Sequence, residues 1–306
     1  SHRNIIDFID WCTETFVFEQ SDVIGSLSPF HFDIYILELY VSLSKGCTMH
    51  LIPSNESTFP ADLVSFLALN KITFIFWVPT IMVNISNLNI LSSINLNSLK
   101  KVFFAGEVFP TKHLNYWRNK IPSAQFVNLY GPIEIAVDCT YFIVNRLFED
   151  SEAIPIGKPC NNSDILILKN NDNLAKDGEQ GELCVRGSSL ALGYFNNQEQ
   201  TDKVFVQNPL NNSYPEKIYR TGDLVYKNEH GEIMFVGRKD FQIKHMGYRV
   251  ELMEIELAVL ALQEVKNACI LYNNALKQII MVFESDGELS DISIRQKLSS
   301  KLPKYM

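Results

Sequence analysis

Tyr130 and Glu134 are residues whose types and spacing could do chemistry. Tyr130 ends the apolar run of residues 126–130, and Glu134 stands four residues further on. An aromatic ring at the end of a strand offers a face on which adenine can stack. A carboxylate just beyond it can hold Mg²⁺ against phosphates. A strand end and a turn with a surface glutamate is an equally good interpretation of so short a motif.

Asp223 and Arg238 form a second candidate pair. Asp223 ends a strand-like segment, where its carboxylate can accept hydrogen bonds from both hydroxyls of a ribose. Arg238 adds planar donors for a ribose or a phosphate. The alternative is a surface ion pair of the kind that is common in hairpins. Phe235 lies between the two in the sequence, and on its own this aromatic residue is expected in the core.

Short apolar runs alternate with longer helical patterns in the first half of the chain. The β-rich runs cover residues 74–78, 101–104 and 126–130, and each stops at a turn that contains Pro or Gly. Segments of helical length, such as residues 110–119, lie between them. This order predicts an α/β fold with a largely buried sheet. In such sheets ligands bind at the carboxyl ends of the strands.

The pattern changes from about residue 154. Short β segments closed by glycine turns, at residues 181–187 and 231–237, predict antiparallel hairpins and a distorted, barrel-like part. After residue 240 a ribbon leads into a helix. Four apolar residues of this helix are predicted to share one face: Leu252, Ile255, Val259 and Leu260.

Composition favours a globular protein of the cytoplasm. The chain has 306 residues, of which 46% are hydrophobic, a formal net charge of -8 and a pI of about 5.3. A nucleic-acid-binding protein is more often basic, and scattered basic residues argue against a membrane patch, so we expect neither partner. We find no signal peptide and no apolar stretch near the roughly 20 residues that span a bilayer. The six cysteines are widely spaced, which fits reduced thiols.

Longer segments show a family resemblance. Residues 128–134 read NLYGPIE, residues 219–224 read YRTGDL, and residues 237–252 read GRKDFQIKHMGYRVEL. Together they closely resemble motifs of adenylate-forming enzymes, specifically the amino-acid adenylation domains of non-ribosomal peptide synthetases. D-alanine–carrier-protein ligases are similar as well. Residues 154–159 and 181–196 also match this family, in parts with structural roles, and the resemblance covers the whole chain.

The resemblance implies a reaction and an architecture. An amino acid is activated with ATP and Mg²⁺ as aminoacyl-AMP, and it then passes to the phosphopantetheine thiol of a carrier protein. The implied fold is a large adenylate-forming core over residues 1–239, with sheets flanked by helices and a distorted barrel-like part. A partial, small α+β C-terminal subdomain follows over residues 240–306. This subdomain is expected to swing about a hinge at Asp240.

The resemblance also assigns roles around the nucleotide. Tyr130 is the residue that stacks on adenine, Asn128 lies near the adenine edge, and Glu134 is the Mg²⁺ ligand. The residues expected to be catalytic are Glu134, Arg238 and Lys244. Those expected to bind the nucleotide are Asn128, Tyr130, Gly131, Asp223, Phe235 and Arg238. Gly247 is expected to line the tunnel for the incoming thiol, with a plain β-turn glycine as the alternative.

Residues 32–35 resemble the family segment whose aspartate pairs with the α-ammonium group of the amino acid. Asp33 is the aspartate of this segment. The pairing is physically reasonable because a buried carboxylate needs such a partner. The alternative is that Asp33 is the N-cap of a helix over residues 34–40. Matching positions to the family adds further pocket residues: Ile34, Leu37, Phe76, Phe103, Ala105, Leu129, Val137 and Asp138. This pocket suits a small apolar amino acid, or a modest basic one if Asp138 pairs with its side chain.

The chain departs from the family pattern in ways that bear on activity. Ile133 replaces a threonine or serine of the family, whose hydroxyl would donate a hydrogen bond to a phosphate. Loss of this bond costs on the order of 1.5–3 kcal/mol, so we expect weak ATP turnover. The phosphate-cradling loop and the C-terminal catalytic lysine are absent, so we expect little adenylation by residues 1–306 alone. Two alternatives remain: an acyl- or aryl-CoA ligase, which Asp33 disfavours, and a non-catalytic nucleotide-binding or docking domain.

Overall fold

The computed structural model describes residues 1–239, 242–260, 262, 264–285 and 290–306. Contacts within the chain divide it into two compact units, Ser1–Gly237 and Arg238–Met306. Each unit has its own apolar core. The expected hinge at Asp240 lies outside the described residues, so it stays a prediction.

A mostly parallel sheet forms the centre of the first unit. Its strands are β1 (Val23–Ser26), β2 (Thr48–Leu51), β3 (Phe74–Trp77), β4 (Lys101–Phe104), β5 (Gln125–Tyr130), β6 (Thr140–Ile143) and β7 (Lys158–Pro159). They lie in the order β2-β1-β3-β4-β5-β6-β7, and β6 and β7 run antiparallel to their neighbours. The three predicted β-rich runs are β3, β4 and β5, which confirms that part of the prediction.

Helices bury this sheet on both faces. The helices of the first unit are α1 (His2–Thr15), α2 (Asp33–Lys45), α3 (Ser54–Thr58), α4 (Pro60–Leu69), α5 (Pro79–Asn87), α6 (Thr111–Lys120) and α7 (Gln198–Val204). Successive side chains of a strand point to opposite faces. Accordingly, Ile75 and Trp77 belong to one apolar cluster, and Phe74 and Phe76 to another. Burial on both faces explains why these strands are apolar without alternation.

Helix α2 begins at Asp33, not after it. Phe32 is the N-cap, with φ of -90° and ψ of 145°, and Gly46 ends the helix in the left-handed conformation. The alternative that Asp33 is the N-cap is therefore wrong by one residue. Its Oδ1 instead accepts a hydrogen bond from the backbone amide of Ile34 at 3.0 Å. Asp33 is also half-buried rather than fully buried, because it lies in the exposed first turn of the helix.

A second, antiparallel sheet completes the first unit as a curled half-barrel. Its strands are β8 (Ser163–Leu168), β9 (Gly181–Gly187), β10 (Phe205–Gln207), β11 (Lys217–Lys227) and β12 (Ile233–Arg238). They pair in the order β10-β11-β9-β8, and β12 also pairs with β11. The hairpin segments predicted at residues 181–187 and 231–237 are β9 and β12, and the barrel-like part of the predicted fold is confirmed.

The second unit is small and mixed. Its elements are β13 (Gln242–His245), β14 (Tyr248–Glu251), α8 (Leu252–Leu260), β15 (Val265–Asn273), β16 (Gln278–Ser285) and α9 (Asp291–Leu298). Leu252, Ile255 and Val259 are buried as predicted, whereas Leu260 is exposed. The prediction for Leu260 is wrong because this residue ends the helix. Within the described residues, no helix is long and apolar enough to cross a membrane.

Candidate active site

A tight loop after β5 carries several of the predicted nucleotide-binding residues. β5 ends at Tyr130, and a 3₁₀ helix, Ile133–Ile135, follows directly. A Cβ atom on Gly131 would lie 2.4 Å from the Cα of Asp138, so only glycine fits at this position. Val137 has a φ of 75°, which is rare for a β-branched residue. Such a conformation persists only where the surrounding structure holds it.

Glu134 is buried at the first turn of this loop. Its side chain is 4% exposed. The hydroxyl of Tyr194 donates to Oε1 of Glu134 at 2.5 Å, and the amide of Ala191 donates to its backbone carbonyl at 2.8 Å. Ile133, its neighbour, is exposed. The alternative interpretation of this motif, a turn with a surface glutamate, is therefore wrong, because the loop before α7 covers the carboxylate of Glu134.

Tyr130 and Asp223 meet although they are far apart in the sequence. The phenol of Tyr130 donates a hydrogen bond to Oδ2 of Asp223, and both side chains are buried. Burial raises the pKa of Tyr130 well above its usual range, and the nearby Asp223 carboxylate raises that pKa further. The predicted adenine-stacking residue and the predicted ribose-binding residue thus share one site in the first unit.

An irregularity in β11 is what positions Asp223. The pairing of β11 with β9 shifts between Arg220 and Leu224, where two extra residues enter the strand. Gly222 takes a φ of 72° within this bulge, a conformation that favours glycine. The hydroxyl of Thr221 accepts a hydrogen bond from the Asp223 amide at 3.0 Å. Bulges of this kind re-aim side chains, often at functional sites.

Asn128 and Phe235 lie close to this pair. The amide of Asn128 donates to the carbonyl of Pro155 at 2.8 Å, so it holds a neighbouring segment in place. The ring centroid of Phe235 lies 6.4 Å from that of Tyr130. Phe235 is partly buried and packs on the apolar cluster of the second sheet. Their contacts with a nucleotide stay predictions.

The structure brings most of the predicted pocket residues together. A single buried apolar cluster contains Ile34, Leu37, Phe76, Phe103, Ala105, Leu129 and Val137. Phe76 and Phe103 pair in register on neighbouring strands, and their ring centroids are 6.2 Å apart. Strands β3, β4 and β5 and helix α2 supply five of these residues, and Ala105 and Val137 come from the loops after β4 and β5. The apolar face of α2 covers this face of the sheet. The assignment of the pocket to a substrate stays a prediction.

The two acidic pocket residues differ in exposure. Asp138 is 3% exposed and follows directly on Val137. Asp33 is half-buried in the first turn of α2. Burial of a carboxylate as deep as that of Asp138 costs free energy unless the group has a partner. Asp138 therefore limits which chemical groups can lie beside it.

Sequence reasoning did not identify Glu38 as an unusual residue. Its side chain is fully buried on α2, and its Oε2 accepts a hydrogen bond from the hydroxyl of Ser26 at 2.7 Å. Burial raises the pKa of Glu38 to about 8, against the opposing effect of the hydrogen bond from Ser26. The signal was present, since Glu38 falls at helical spacing in the apolar stripe of Ile34, Leu37 and Val41.

Sequence reasoning also missed Tyr194. It lies in the segment 181–196, for which the family resemblance implies a structural role. Its ring packs 6.0 Å from that of Phe205, and its backbone amide donates to the hydroxyl of Thr201 at 2.9 Å. No local pattern reports that its phenol reaches Glu134, because the two residues are 60 positions apart.

The remaining predicted site residues lie in the second unit. Arg238 is the last residue of β12 and is half-buried, and Lys244 is exposed on β13. Met246 and Gly247 form the turn between β13 and β14, with φ of 51° and 85°. Two residues of positive φ are typical of a tight hairpin turn, so Gly247 is a turn glycine. Its place in a thiol tunnel, and the roles of Arg238 and Lys244, stay predictions.

The residues present fit a magnesium ion that is held with phosphates. Within the described residues, no cluster of three metal-binding side chains occurs. Mg²⁺ keeps several waters and is commonly bound by one or two carboxylates plus substrate phosphates, so a protein cage is not needed. Glu134 offers one buried carboxylate whose orientation is held by a phenol.

Comparison with known proteins identifies the family. A model described as AMP-binding enzyme matches residues 1–195. The chain belongs to the AMP-binding enzyme family. The resemblance to amino-acid adenylation domains of non-ribosomal peptide synthetases, inferred from the motifs, is confirmed by relatives within this family.

Two relatives and one solved structure illustrate the match to AMP-binding enzymes. The chain is 32% identical over 314 residues to an L-proline–[L-prolyl-carrier protein] ligase of Pseudomonas fluorescens, with all of this chain and 59% of the ligase covered. It is 33% identical over 308 residues to gramicidin S synthase 2 of Aneurinibacillus migulanus, with 100% of this chain and 7% of the synthase covered. The crystal structure of IdnL1 is 27% identical and superimposes with a TM-score of 0.89, over 100% of this chain and 63% of IdnL1. The α/β fold is confirmed, and the chain spans about three-fifths of the ligase.

Proposed function

We propose that this AMP-binding chain serves in the activation of an amino acid with ATP and in its transfer to a carrier protein. The observation that carries the proposal is the hydrogen bond between Tyr130 and Asp223. It joins a ring suited to stacking on adenine with a carboxylate suited to a ribose, as a nucleotide requires. The prolyl-carrier protein ligase among the relatives supports the class of acceptor.

The proposed reaction has two steps. In the first, a carboxylate oxygen of the amino acid attacks the α-phosphorus of ATP, the bond to the β-phosphate breaks, and pyrophosphate leaves. In the second, the phosphopantetheine thiolate of the carrier attacks the carbonyl carbon of the adenylate, and AMP leaves. A bound Mg²⁺ would neutralise phosphate charge. Little covalent chemistry falls to the protein, so positioning and electrostatics carry most of the catalysis.

The residues of the first unit divide this work. Tyr130 and Asp223 bind the nucleoside, and the carboxylate of Glu134 would hold a bound Mg²⁺. Asp33 pairs with the α-ammonium group of the amino acid, and the apolar cluster of Phe76 and Phe103 receives its side chain. The role of Arg238, which belongs to the second unit, stays what the resemblance implies, donation to a ribose or a phosphate.

The test is amino-acid-dependent ATP–pyrophosphate exchange by the full-length protein that carries this chain. The panel is the proteinogenic amino acids plus ornithine. We expect exchange with one or a few of them, and we expect Asp33→Asn to raise the KM for the amino acid far more than that for ATP. Exchange that needs a carboxylic acid without an amine, with coenzyme A as acceptor, would support a CoA ligase instead.

Asp138 and Ile133 sharpen this test. If the substrate has a basic side chain, Asp138→Asn changes the substrate profile, whereas an unchanged profile contradicts that pairing. ATP binding without exchange for any acid would support a non-catalytic nucleotide-binding domain. The exposed Ile133 is the observation that favours this second reading, because the family has a hydroxyl there. Ile133→Thr is then expected to increase exchange if the loss is one of phosphate contact.

A further inference from the structure

We infer that Tyr194 is a positioning residue for the metal site, acting through Glu134. This inference rests on the proposed function, since it takes Glu134 as the Mg²⁺ ligand. The phenol of Tyr194 donates to Oε1 of Glu134 at 2.5 Å, and the loop that carries Tyr194 also donates the Ala191 amide to the Glu134 carbonyl. One loop therefore donates hydrogen bonds to both the backbone and the side chain of Glu134, the candidate Mg²⁺ ligand.

The geometry restricts Glu134 more than burial alone would. Glu134 lies on a single turn of 3₁₀ helix, an element with few internal hydrogen bonds to hold it. Val137, three residues later, is strained at a φ of 75°. A carboxylate on so short an element has several rotamers open to it unless another group selects one. A charge-assisted hydrogen bond from a phenol makes that selection.

Tyr194 is itself held on two sides. Its ring packs against Phe205 of β10 at 6.0 Å, and its backbone amide is bound to the hydroxyl of Thr201 on α7. Gly193 before it has a φ of 139°, and a Cβ there would lie 2.5 Å from Cγ2 of Thr201. The contacts of Gly193 and Tyr194 with Thr201 of α7 thus fix the backbone that places the phenol beside Glu134. Groups that fix a ligand in this way are typical of the outer shell of metal sites.

A merely structural role is the competing explanation. A buried carboxylate needs a donor, and Tyr194 would satisfy it whatever ligand is bound. The two explanations differ in what Tyr194→Phe changes. A structural role affects only thermal stability. A positioning role weakens the gain in ATP affinity that Mg²⁺ provides, because a misoriented carboxylate binds the metal less well.

The experiment measures ATP binding to the full-length protein by calorimetry, with Mg²⁺ and with EDTA in its place. The ratio of the two dissociation constants reports on the metal site without any turnover. For Tyr194→Phe we expect this ratio to fall by about tenfold, the lower end of the usual effect of removing an outer-shell partner. The dissociation constant in EDTA should stay near that of the wild type. Tyr116→Phe is the matched control, because Tyr116 lies on α6, away from this loop, and its hydroxyl accepts a hydrogen bond from the Leu91 amide.

A double-mutant cycle separates a direct effect from one exerted through Glu134. In a Glu134→Gln background, Tyr194→Phe is expected to leave the Mg²⁺ ratio unchanged. If Tyr194→Phe lowers the melting temperature but keeps the full wild-type ratio, the inference is wrong and Tyr194 is structural. If the wild type shows no gain from Mg²⁺, the metal assignment of Glu134 fails and this inference fails with it. Amino-acid-dependent exchange would in that case still support the proposed function.

Discussion

The hydroxyl of Tyr130 donates a hydrogen bond to the carboxylate of Asp223, 93 residues later in the chain. Tyr130 ends β5 of the parallel sheet, whereas Asp223 lies on β11 of the curled sheet. A two-residue bulge beside Gly222 aims the carboxylate at the phenol. The contact joins the two sheets of the first unit at the place where a nucleoside is expected.

Removing this hydroxyl should weaken nucleotide binding. Tyr130→Phe keeps the ring for stacking but removes the hydrogen bond from the Tyr130 hydroxyl to the Asp223 carboxylate. A hydrogen bond to a charged group contributes about 1.5–3 kcal/mol, so we expect the dissociation constant for AMP to rise about tenfold or more. Titration calorimetry measures this effect. Tyr116→Phe should bind AMP as the wild type does, and equal affinity for both variants would contradict the role of the Tyr130 hydroxyl.

Glu38→Gln should change how stability depends on pH. The folded pKa of about 8 lies above the ordinary value of 4.5, so between these values the folded chain binds a proton that the unfolded chain has released. The contribution of Glu38 to stability is therefore full below pH 4.5 and is lost as the pH rises toward 8. Glutamine cannot ionise and avoids this loss. Relative to the wild type, the variant should gain about 1.4 kcal/mol in the free energy of unfolding for each pH unit across this window.

Urea unfolding at pH 5, 6.5 and 8 measures the effect. The control is Glu229→Gln, at an exposed glutamate, which should follow the wild type at each pH. A constant difference between Glu38→Gln and the wild type at the three values of pH would show that Glu38 is ionised in the folded protein.

Asp22→Asn should destabilise the parallel sheet near the amino-terminal ends of β1 and β4. Asp22 is buried, accepts from the Thr73 hydroxyl at 2.8 Å and pairs with Lys101 at 3.0 Å. Although burial raises the pKa of Asp22, the hydrogen bonds from the Glu19 amide, Lys101 and Thr73 bring it below its ordinary value. Asparagine leaves the mostly buried Lys101 without its charged partner. We expect a loss of about 3 kcal/mol at pH 7.

This loss should depend on pH in the opposite sense to that of Glu38. A lowered pKa means that Asp22 contributes stability above its ordinary pKa of 3.8, and that the contribution disappears as the pH falls through the lower folded value. The difference between Asp22→Asn and the wild type should therefore shrink in acid. Thermal melts between pH 7 and pH 3 test this, with Glu199→Gln of the exposed Lys203 pair as a control of little effect. A difference that grows in acid would contradict the assignment.

Gly131→Ala should be destabilising for a steric reason. A Cβ at Gly131 would meet the Cα of Asp138 at 2.4 Å and the carbonyl of Val137 at 2.6 Å, both of which are backbone atoms. Forced overpacking costs roughly 1–3 kcal/mol, and the strained loop has little room to relax. Gly237→Ala is the control, since nothing lies within 4 Å of its added Cβ. Equal melting temperatures for the two variants would show that the loop can yield.

The local pattern of residues determined much of this protein. Buried apolar runs of strand length, such as residues 74–77 and 101–104, predict central strands wherever both faces are covered, because no alternation is needed there. The motif residues can also be identified from the sequence, because a strand end and the turn after it span only a few positions. Helix ends are less certain, as Asp33 and Leu260 show, because one cap residue decides them.

Only the tertiary structure decided which side chains meet. The bond of Tyr130 to Asp223 needs the bulge in β11, and the bond of Tyr194 to Glu134 needs a loop locked against α7. Periodicity reports the few residues around a position, whereas these contacts join segments 60 to 93 positions apart. The burial of Glu38 is a matter of the same kind, since the sheet that covers α2 comes from other parts of the chain. Sequence spacing names the groups that can do chemistry, and packing decides their partners, their ionisation and their orientation.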